Sequence, residues 1–471
     1  MAVVGENSEA RNTTPTVSER ASRGRAARSA APRRLQSALD PTGRGDPIAL
    51  LEDQAKTRLA ELVPLRYGRM LNSPFAFFRG AAIVMARDLG TTPQAGLQVQ
   101  LCGDAHLLNF GGFASPERDL LFDLNDFDET LPGPFEWDVK RLAASIEIAA
   151  RDHAYGGPSR SKAVLEAVRS YRETMLELAG RGNLDVWYAD ADAKSLAVDL
   201  RAHRDRRAAK VVDRTAAHAP SSDSVLALKK LTRVVDGRTQ IRSDPPDLVP
   251  IVELVDNSDE LEAGIKSVVR SYLESLPHDR RVLLKSFRYS NAARKVVGIG
   301  SVGTHCYVVL LFGRNERDPL VLQLKEAQSS TLEPFLGVRP IENQGRRVVE
   351  GQRLSQAFGD IFLGWTRADD LDGTSRDFYV RQLRDWKVSL DVDRLDPHAL
   401  AIYGCWCAAA LARAHARSGD RIAIAAYLGK GDRFDRAISD FAATYADVNE
   451  QDYATLVRAV HEGRVTATTD T

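Results

Sequence analysis

The sequence predicts an α+β fold with a helix-rich part and one small antiparallel sheet. Apolar residues recur at helical spacing over several long segments, as expected of helices that pack on a core. The longest of these segments are residues 137–151, 399–416 and 434–445. The pattern changes to that of strands over residues 296–312 and 320–324, which a polar turn joins. Because strands joined by a short turn pair antiparallel, we expect an antiparallel sheet.

The composition is that of a globular protein without a nucleic-acid or membrane partner. Apolar residues make up 44% and charged residues 27% of the 471 residues, so extensive disorder is not expected. The 64 basic residues balance the 64 acidic ones, which gives no overall attraction to polyanions. No apolar run reaches the roughly 18–20 residues that a transmembrane helix requires. The oligomeric state cannot be read from these features.

The cysteines favour a reduced, cytoplasmic protein. Cys102, Cys306, Cys405 and Cys407 are too few for a disulfide scaffold, and their spacing matches no zinc motif. The first residues contain no apolar core of a signal peptide. We therefore expect free thiols in the cytoplasm.

Changes in composition divide the chain into five segments. Residues 1–45 contain eight arginines and four acidic residues, and we expect them to be a disordered basic tail. The other segments are a part with an acidic loop (46–155), a helical insert (156–285), a β-rich part (286–395) and C-terminal helices (396–471). Helical residues of the second and fifth segments are expected to form one unit.

The second segment contains a helix and two strands that frame its polar loops. A Ser-Pro pair at residues 73–74 supplies the N-cap and the first turn of a helix predicted over residues 74–89. Alternating apolar residues predict strands over residues 97–102 and 120–124.

Candidate catalytic residues follow each of these strands. Asp104 and Asn109 have the Asp-x-x-x-x-Asn spacing of a kinase catalytic loop, which suits Asp104 as a base and Asn109 as a metal ligand. Carboxylates cluster at the second strand, where burial is costly unless they bind a cation or a proton. Asp126 is the first choice as metal ligand and Asp128 the second, with Asp123 also open. The alternative is a polar turn whose side chains bind backbone amides.

His106 lies inside the same loop. A histidine in such a loop more often braces it through hydrogen bonds than ligates a metal ion or moves a proton in catalysis, and the sequence leaves the three roles open. A rival class of enzyme, a metal-dependent phosphoesterase, would use Asp104, His106 and the later carboxylates to hold two metal ions ~3.5–4 Å apart.

A glycine-rich motif, GIGSVG, occupies residues 298–303 between two predicted strands. A dinucleotide-binding fold would need a helix after this motif, whereas the phosphate loop of a kinase connects two strands. Glycines let backbone amides approach phosphate oxygens closely. The candidates for this contact are Gly298, Gly300, Ser301 and Gly303. The alternative is a hairpin that needs glycine only for its tight turn.

The strand after this motif ends in Lys325. A kinase lysine on the corresponding strand binds the α- and β-phosphates and pairs with a glutamate on the next helix. Glu350 is the first candidate for this partner and Glu342 the second. The alternative is a surface lysine whose stem lies along the sheet.

Together these motifs resemble the aminoglycoside and choline phosphotransferase branch of the kinase-like superfamily. The resemblance rests on residues 103–109 (GDAHLLN) and 133–139 (GPFEWDV). It implies a two-lobed fold that binds ATP and Mg²⁺, with Asp138 as structural support of the catalytic loop. Cys102 departs from the pattern of this branch, which has histidine before Gly-Asp.

The order of the motifs also departs from that of kinases, because the catalytic loop precedes the glycine loop. This order implies a circularly permuted kinase-like fold, which is tolerable where chain ends lie close together at the surface. Residues 405–417 resemble the helix that precedes the catalytic loop in the ordinary order. A cut after that helix would account for the arrangement.

From about residue 46 onward the chain also resembles a bacterial family known as domain of unknown function 2252. This family has no settled activity. The motifs that carry the resemblance are residues 73–80 (SPFAFFRG), 103–109, 125–129 (NDFDE), 298–303 and 378–385 (FYVRQLRD).

These observations predict an ATP- and Mg²⁺-dependent phosphotransferase with an unknown acceptor. The acceptor would be a hydroxyl group of a small molecule or a protein. The alternatives are the phosphoesterase described above and a nucleotide-binding protein without turnover. Residues 156–285 contain no spacing that bears on chemistry, and their role is open.

Overall fold

The computed structural model describes residues 14–190, 224–235, 238–254, 258–339, 341–369, 373–383, 386, 388 and 390–468. The helices are α1 Val17–Ala30, α2 Pro47–Ala55, α3 Val63–Met70, α4 Pro74–Gly80, α5 Ala82–Gly90, α6 Phe135–Asp152, α7 Gly157–Ala179, α8 Asn183–Trp187, α9 Ser224–Leu231, α10 Ser258–Glu274, α11 His278–Leu284, α12 Glu333–Leu336, α13 Gln344–Ser355, α14 Pro397–Ser418, α15 Arg421–Leu428 and α16 Arg433–His461.

The strands are β1 Gln98–Leu101, β2 Phe110–Ala114, β3 Leu120–Leu124, β4 Leu131–Pro134, β5 Thr232–Val235, β6 Arg238–Ile241, β7 Leu248–Pro250, β8 Arg288–Lys295, β9 Cys306–Phe312, β10 Pro319–Glu326, β11 Gly364–Asp369 and β12 Ser375–Gln382. The fold is α+β, as predicted, with long helices and a six-stranded antiparallel sheet.

The helical part is built around α6, which is buried on nearly every side. Helices α7, α14 and α16 pack against it, and α15 packs against α7. Aromatic rings join these helices at the centre of the main core: Phe135, Tyr171, Tyr427 and Phe434. α14 begins where it does because Pro397 suits a first turn and Asp396 accepts a hydrogen bond from the amide of Ala399.

The large sheet has the strand order β11-β12-β10-β9-β8-β7. Helix α10 covers one face, and α9 with the β5–β6 hairpin covers the other. Alternate residues of β9 enter two separate cores, Tyr307, Val309 and Leu311 on one face and Val308, Leu310 and Phe312 on the other. Because both faces are covered, this strand is a continuous apolar run.

Two small antiparallel pairs present the polar loops of residues 102–109 and 125–129. β1 pairs with β4, and β2 pairs with β3 in a register that places Phe110 opposite Leu124. The ladder of the second pair continues one step further, because the amide of Asn125 donates to the carbonyl oxygen of Asn109 at 3.0 Å. The end of the first loop and the start of the second are therefore neighbours.

The helix predicted over residues 74–89 is two helices, α4 and α5, that meet at Ala81. The carbonyl oxygen of Gly80 accepts a hydrogen bond from the buried guanidinium of Arg66 at 2.8 Å. In a continuous helix the amide of Val84 would donate to this carbonyl oxygen. It donates to the carbonyl oxygen of Ala81 instead, and a new helix starts there.

Part of the segment expected to be a disordered tail is helical. Thr16 and Glu19 form a capping box at the start of α1. The helix docks on α15, where Gly24 lies against the backbone of Ala423 and Arg28 donates to the carbonyl of Tyr427 at 2.9 Å. Sequence reasoning missed this because the docking uses arginine and backbone rather than an apolar face. Residues 1–13 lie outside the described chain.

The segment expected to be a helical insert also contributes strands. β5 and β6 form a hairpin, and β7 pairs with β8 as the sixth strand of the large sheet. Leu248 and Val249 of β7 are buried there. Residues 191–223 of this segment lie outside the described chain. Within the described part, no helix combines the length and the apolar character that crossing a bilayer demands.

Substitution of Gly103 tests whether the first polar loop packs against the backbone of Glu129. Its φ is +87°, and a Cβ there would lie 2.2 Å from the carbonyl oxygen of Glu129. Gly96 has a similar φ of +69° but no atom within 4 Å of a Cβ. We expect Gly96→Ala to lower the free energy of unfolding by about 1 kcal/mol through backbone strain alone. Gly103→Ala should cost about 1–3 kcal/mol more, because of the clash.

Urea denaturation of both variants measures this difference. Equal losses of stability in the two variants would show that the loop does not lie against Glu129.

Candidate functional site

The polar loops of residues 102–109 and 125–129 are called the first and second acidic loops from here on. Together with the glycine-rich turn of residues 298–303, they line one cleft between the large sheet and the helical part. The cleft has a volume of about 640 Å³. Its walls include Asp104, His106, Asn109, Asp126, Asp128, Gly298, Gly300 and Ser301. These residues come from segments nearly two hundred positions apart in the sequence, and the fold brings them together.

Asp104 is held on one oxygen by Arg141 of α6. The Nε and Nη2 atoms of Arg141 lie 2.9 and 2.7 Å from Oδ1 of Asp104. The guanidinium also lies 3.8 Å above the ring centroid of Phe78 and donates to its carbonyl oxygen. Oδ2 of Asp104 accepts no hydrogen bond from the described protein, and the nearest imidazole nitrogen, Nε2 of His106, is 3.7 Å away. One oxygen of Asp104 is thus fixed and the other is available.

The rest of the loop positions Asn109 and His106. The side-chain amide of Asn109 donates to the carbonyl oxygen of Asp104 at 2.8 Å, which leaves its Oδ1 as an acceptor. Nδ1 of His106 accepts from the amide of Leu108 at 3.2 Å. Burial, helped by the charges of Arg79 and Arg141, lowers the pKa of His106 well below its ordinary value. A neutral histidine with this bond braces the loop.

Asp138 anchors the start of the loop. Its carboxylate accepts hydrogen bonds from the amides of Cys102 at 2.8 Å and Gly103 at 3.1 Å. Nε2 of His415 lies 3.2 Å from the same carboxylate, and Nδ1 of His415 lies 2.8 Å from the hydroxyl of Tyr171. His415 belongs to α14. The start of the loop, at Cys102, is therefore supported by a histidine that comes from another element.

The second acidic loop meets Lys325 of β10. The ammonium group of Lys325 forms a close ion pair with Asp128 and lies 3.9 Å from Oδ2 of Asp126. The hydroxyl of Tyr379 on β12 donates to the other oxygen of Asp128 at 2.7 Å. Lys325 is 2% exposed, so its charge lies behind the two aspartates rather than in the cleft.

The two aspartates differ in their electrostatics. Burial alone would raise the pKa of Asp128, but the ion pair with Lys325 and the bond from Tyr379 lower it overall. Burial and the neighbouring charge of Asp128 raise the pKa of Asp126. Burial opposes the charge of Lys325, yet the two carboxylates raise its pKa well above the ordinary value. Asp126 is therefore the carboxylate whose charge is less fully compensated.

Asp123 lies elsewhere. It faces Gly111 across the β2–β3 ladder, and Oδ1 accepts from the amide of Leu124 at 2.9 Å. Burial raises its pKa, although the charge of Arg413 opposes this. It does not border the cleft, which favours Asp126 and Asp128 among the three candidates.

The structure does not bring Glu350 to Lys325. Glu350 lies on the exposed side of α13 and accepts from Nε of Arg346 at 2.7 Å. Glu342 is exposed as well. The buried side of α13 instead presents Arg347, which donates to the carbonyl oxygens of Asp128 at 2.8 Å and Thr130 at 2.7 Å. Helix α13 thus supports the second acidic loop through Arg347, and the ion-pair partners of Lys325 are the two aspartates of that loop.

The glycine-rich turn connects β8 and β9, as predicted, and touches the second acidic loop. Gly298 and Gly303 have φ angles of +67° and +87°, which favour glycine. The carbonyl oxygen of Gly303 accepts a hydrogen bond from the amide of Leu59 at 2.8 Å, and that of Gly298 accepts one from Nη1 of Arg69 at 3.1 Å. The hydroxyl of Ser301 lies 3.4 Å from Oδ2 of Asp128.

Two arginines of the cleft were absent from the sequence prediction. Arg58 follows α2, and Arg79 lies in the last turn of α4; both border the cleft. Arg79 belongs to the SPFAFFRG motif at residues 73–80, which was noted only as a family signature. That motif was the available signal, but its spacing gave no hint of where the side chain would lie.

Comparison with known proteins gives a family but no neighbour of known activity. Residues 58–459 match a protein-family model described as "Uncharacterized protein conserved in bacteria (DUF2252)". No curated protein and no solved structure matches the chain. The matched range contains both acidic loops, the glycine-rich turn and Lys325.

Replacing Lys325 tests the ion pair that joins the two walls. Lys325→Met would remove the closest compensating charge of Asp126 and Asp128, and we expect the free energy of unfolding to fall by about 3–5 kcal/mol. Adding Asp128→Asn should recover more than 1 kcal/mol of this loss. Lys162→Met on α7 is the control, because its ion pair with Glu166 is at the surface and contributes under about 1 kcal/mol.

Urea denaturation of the single and double variants checks this double-mutant cycle. Additive effects of Lys325→Met and Asp128→Asn would contradict the pairing.

Proposed function

The chain belongs to DUF2252, a family of uncharacterised bacterial proteins, and we propose that it is an ATP- and Mg²⁺-dependent phosphotransferase. The observation that carries the proposal is the shared cleft: Asp104, Asn109 and Asp126 lie on one wall and the glycine-rich turn on the other. Phosphoryl transfer requires a base near the nucleophile, metal ligands and a cover for the phosphates, and little covalent help. The phosphate acceptor in this proposal is a hydroxyl group of a small molecule or a protein.

The order of elements in the sheet supports a kinase-like arrangement. The glycine-rich turn joins β8 and β9, and Lys325 lies on the next strand, β10, which pairs with β9. Protein kinases likewise place a glycine-rich loop over the phosphates and a lysine on the third strand. The likeness extends to a helix after that strand, although α13 of this chain does not supply the glutamate partner.

The position of α14 supports the proposed circular permutation. Ser418 at the end of this helix accepts a hydrogen bond from the amide of Gln100 on β1 at 3.1 Å. Gly419 packs against the backbone of Gln98. The helix that comes before the catalytic loop in the ordinary order thus ends beside the strand that leads into this loop, although it follows it in sequence.

Asp126 and Asn109 fit a Mg²⁺ ion. The side chain of Asp126 is 29% exposed toward the cleft, and Asn109 keeps its carbonyl oxygen available. Mg²⁺ is usually held by one or two protein oxygens together with substrate phosphates and water. When bound, the ion would neutralise charge on the nucleotide phosphates.

The remaining groups have defined roles in the proposal. Oδ2 of Asp104 accepts the proton of the acceptor hydroxyl while Arg141 holds the other oxygen. Amides of Gly298, Gly300, Ser301 and Gly303 cover the phosphates. Lys325 would reach the α- and β-phosphates only where a nucleotide replaces Asp128 as its partner, because its ammonium group is otherwise buried behind the aspartates.

A phosphoesterase with two metal ions is less well supported. That chemistry calls for several acidic or histidine ligands around a metal pair. In the described residues, no group of three or more His, Cys, Asp or Glu side chains is arranged to hold a metal ion. His106 is also occupied with bracing its loop.

Two substitutions separate binding from turnover. We expect Asp104→Asn to keep Mg·ATP binding and to reduce ATP consumption by about 10²–10⁴-fold, because a positioned base contributes that much. Asp126→Asn should lose Mg²⁺-dependent binding, because the metal ligand is removed. Asp440→Asn, an exposed residue of α16, is the control.

Thermal shift with Mg·ATP measures binding, and ATP consumption with a panel of hydroxyl compounds measures turnover. Wild-type protein at a hundredfold excess of ligand over Kd should gain about 2.7 kcal/mol of stability. An unchanged melting curve of the wild type with Mg·ATP would contradict the proposal. Binding without consumption would indicate a nucleotide-binding protein without turnover.

A further inference from the structure

The cleft has many negative groups and few positive ones. Six carboxylates line it: Asp53, Asp104, Asp126, Asp128, Glu129 and Glu326. The cationic side chains among its described lining residues are Arg58 and Arg79, since Lys325 is buried behind Asp128. A nucleotide triphosphate needs positive groups beyond the metal ion, because charge is spread over the oxygens of the transferred group.

Arg58 is already engaged by the protein. Its Nη1 donates to the carbonyl oxygen of Val302 at 2.5 Å, and its stem packs 3.0 Å from the Cβ position of Gly303. These contacts fix Arg58 at the far end of the glycine-rich turn. It is a structural support of this turn.

Arg79 has no such partner. Its guanidinium makes no hydrogen bond or ion pair with the described protein, and its Nε is buried without an acceptor. The guanidinium carbon lies 6.0 Å from the ring centroid of Phe75. A partly buried arginine without an acceptor pays a desolvation cost that a bound anion would offset.

The position of Arg79 is between the two walls. Its carbonyl oxygen lies 3.3 Å from the Cβ position of Gly300, so the end of α4 abuts the glycine-rich turn. The charges of Asp104 and Asp393 act on Arg79 against the effect of burial on its pKa, and the charge of Arg79 helps to lower the pKa of His106. Arg79 therefore lines the cleft with its backbone beside the glycine-rich turn and its charge within electrostatic range of Asp104.

We propose that Arg79 binds the terminal phosphate of the nucleotide and stabilises the phosphoryl group during transfer. This inference rests on the proposed function. In the step, the acceptor oxygen forms a bond to the γ-phosphorus, the bond from that phosphorus to the bridging oxygen of ADP breaks, and the hydroxyl proton passes to Asp104. The planar fork of an arginine can donate two parallel hydrogen bonds to phosphate oxygens.

Nucleotide titrations of the wild type and Arg79→Gln test the assignment. Isothermal titration calorimetry with Mg·AMP-PNP, which has a terminal phosphate, is compared with Mg·ADP, which lacks it. We expect Arg79→Gln to weaken Mg·AMP-PNP at least tenfold and Mg·ADP less than twofold. Arg79→Lys, which keeps the charge but not the fork, should fall between the wild type and Arg79→Gln. Arg436→Gln, which removes an exposed charge on α16, should change neither affinity.

The outcomes separate the two proposals. If the wild type binds neither nucleotide, the proposed function fails and this inference fails with it. If the wild type binds both but Arg79→Gln weakens both equally, or neither, only the role of Arg79 is overturned. Circular dichroism melting shows whether Arg79→Gln is folded, and if it is not, the comparison with Arg79→Lys decides.

Discussion

The site depends on the ion pair between Lys325 of the large sheet and Asp128 of the second acidic loop. Lys325 is buried, and a buried charge requires a partner with further hydrogen bonds to satisfy the remaining groups. Tyr379 supplies one such bond to the carboxylate, and Arg347 holds the backbone of the same loop. A strand from one core and a loop from another are thereby fixed on facing sides of one cleft.

This arrangement gives neighbouring carboxylates different roles. Asp128 is compensated by Lys325 and Tyr379, so it serves to join the two walls. Asp126, two residues earlier, also borders the cleft, but its nearest cationic nitrogen, Nζ of Lys325, is 3.9 Å away. Within Asp104 the two oxygens differ, because Arg141 binds one of them and the other is available. Environment, rather than residue type, separates the compensated carboxylate from those with an available oxygen.

Local patterns predicted the parts of the site that depend on spacing. Asp104, Asn109 and the glycines between two strands line the cleft. Lys325, near the end of its strand, lies directly behind it. Glu350 was misplaced because a sequence does not show which side of a helix will be buried. His415 and Arg79 were missed because each acts through a contact with a distant element. The docked helix α1 was missed because it has no apolar face.

A crystal structure with Mg²⁺ and AMP-PNP would show directly where a nucleotide lies on this protein. We expect the phosphates between residues 298–303 and Asp126, with the metal about 2.0–2.1 Å from an oxygen of Asp126. We also expect the triphosphate to approach Arg79 and Asp104. A nucleotide bound elsewhere on the protein, with this cleft empty, would contradict the account.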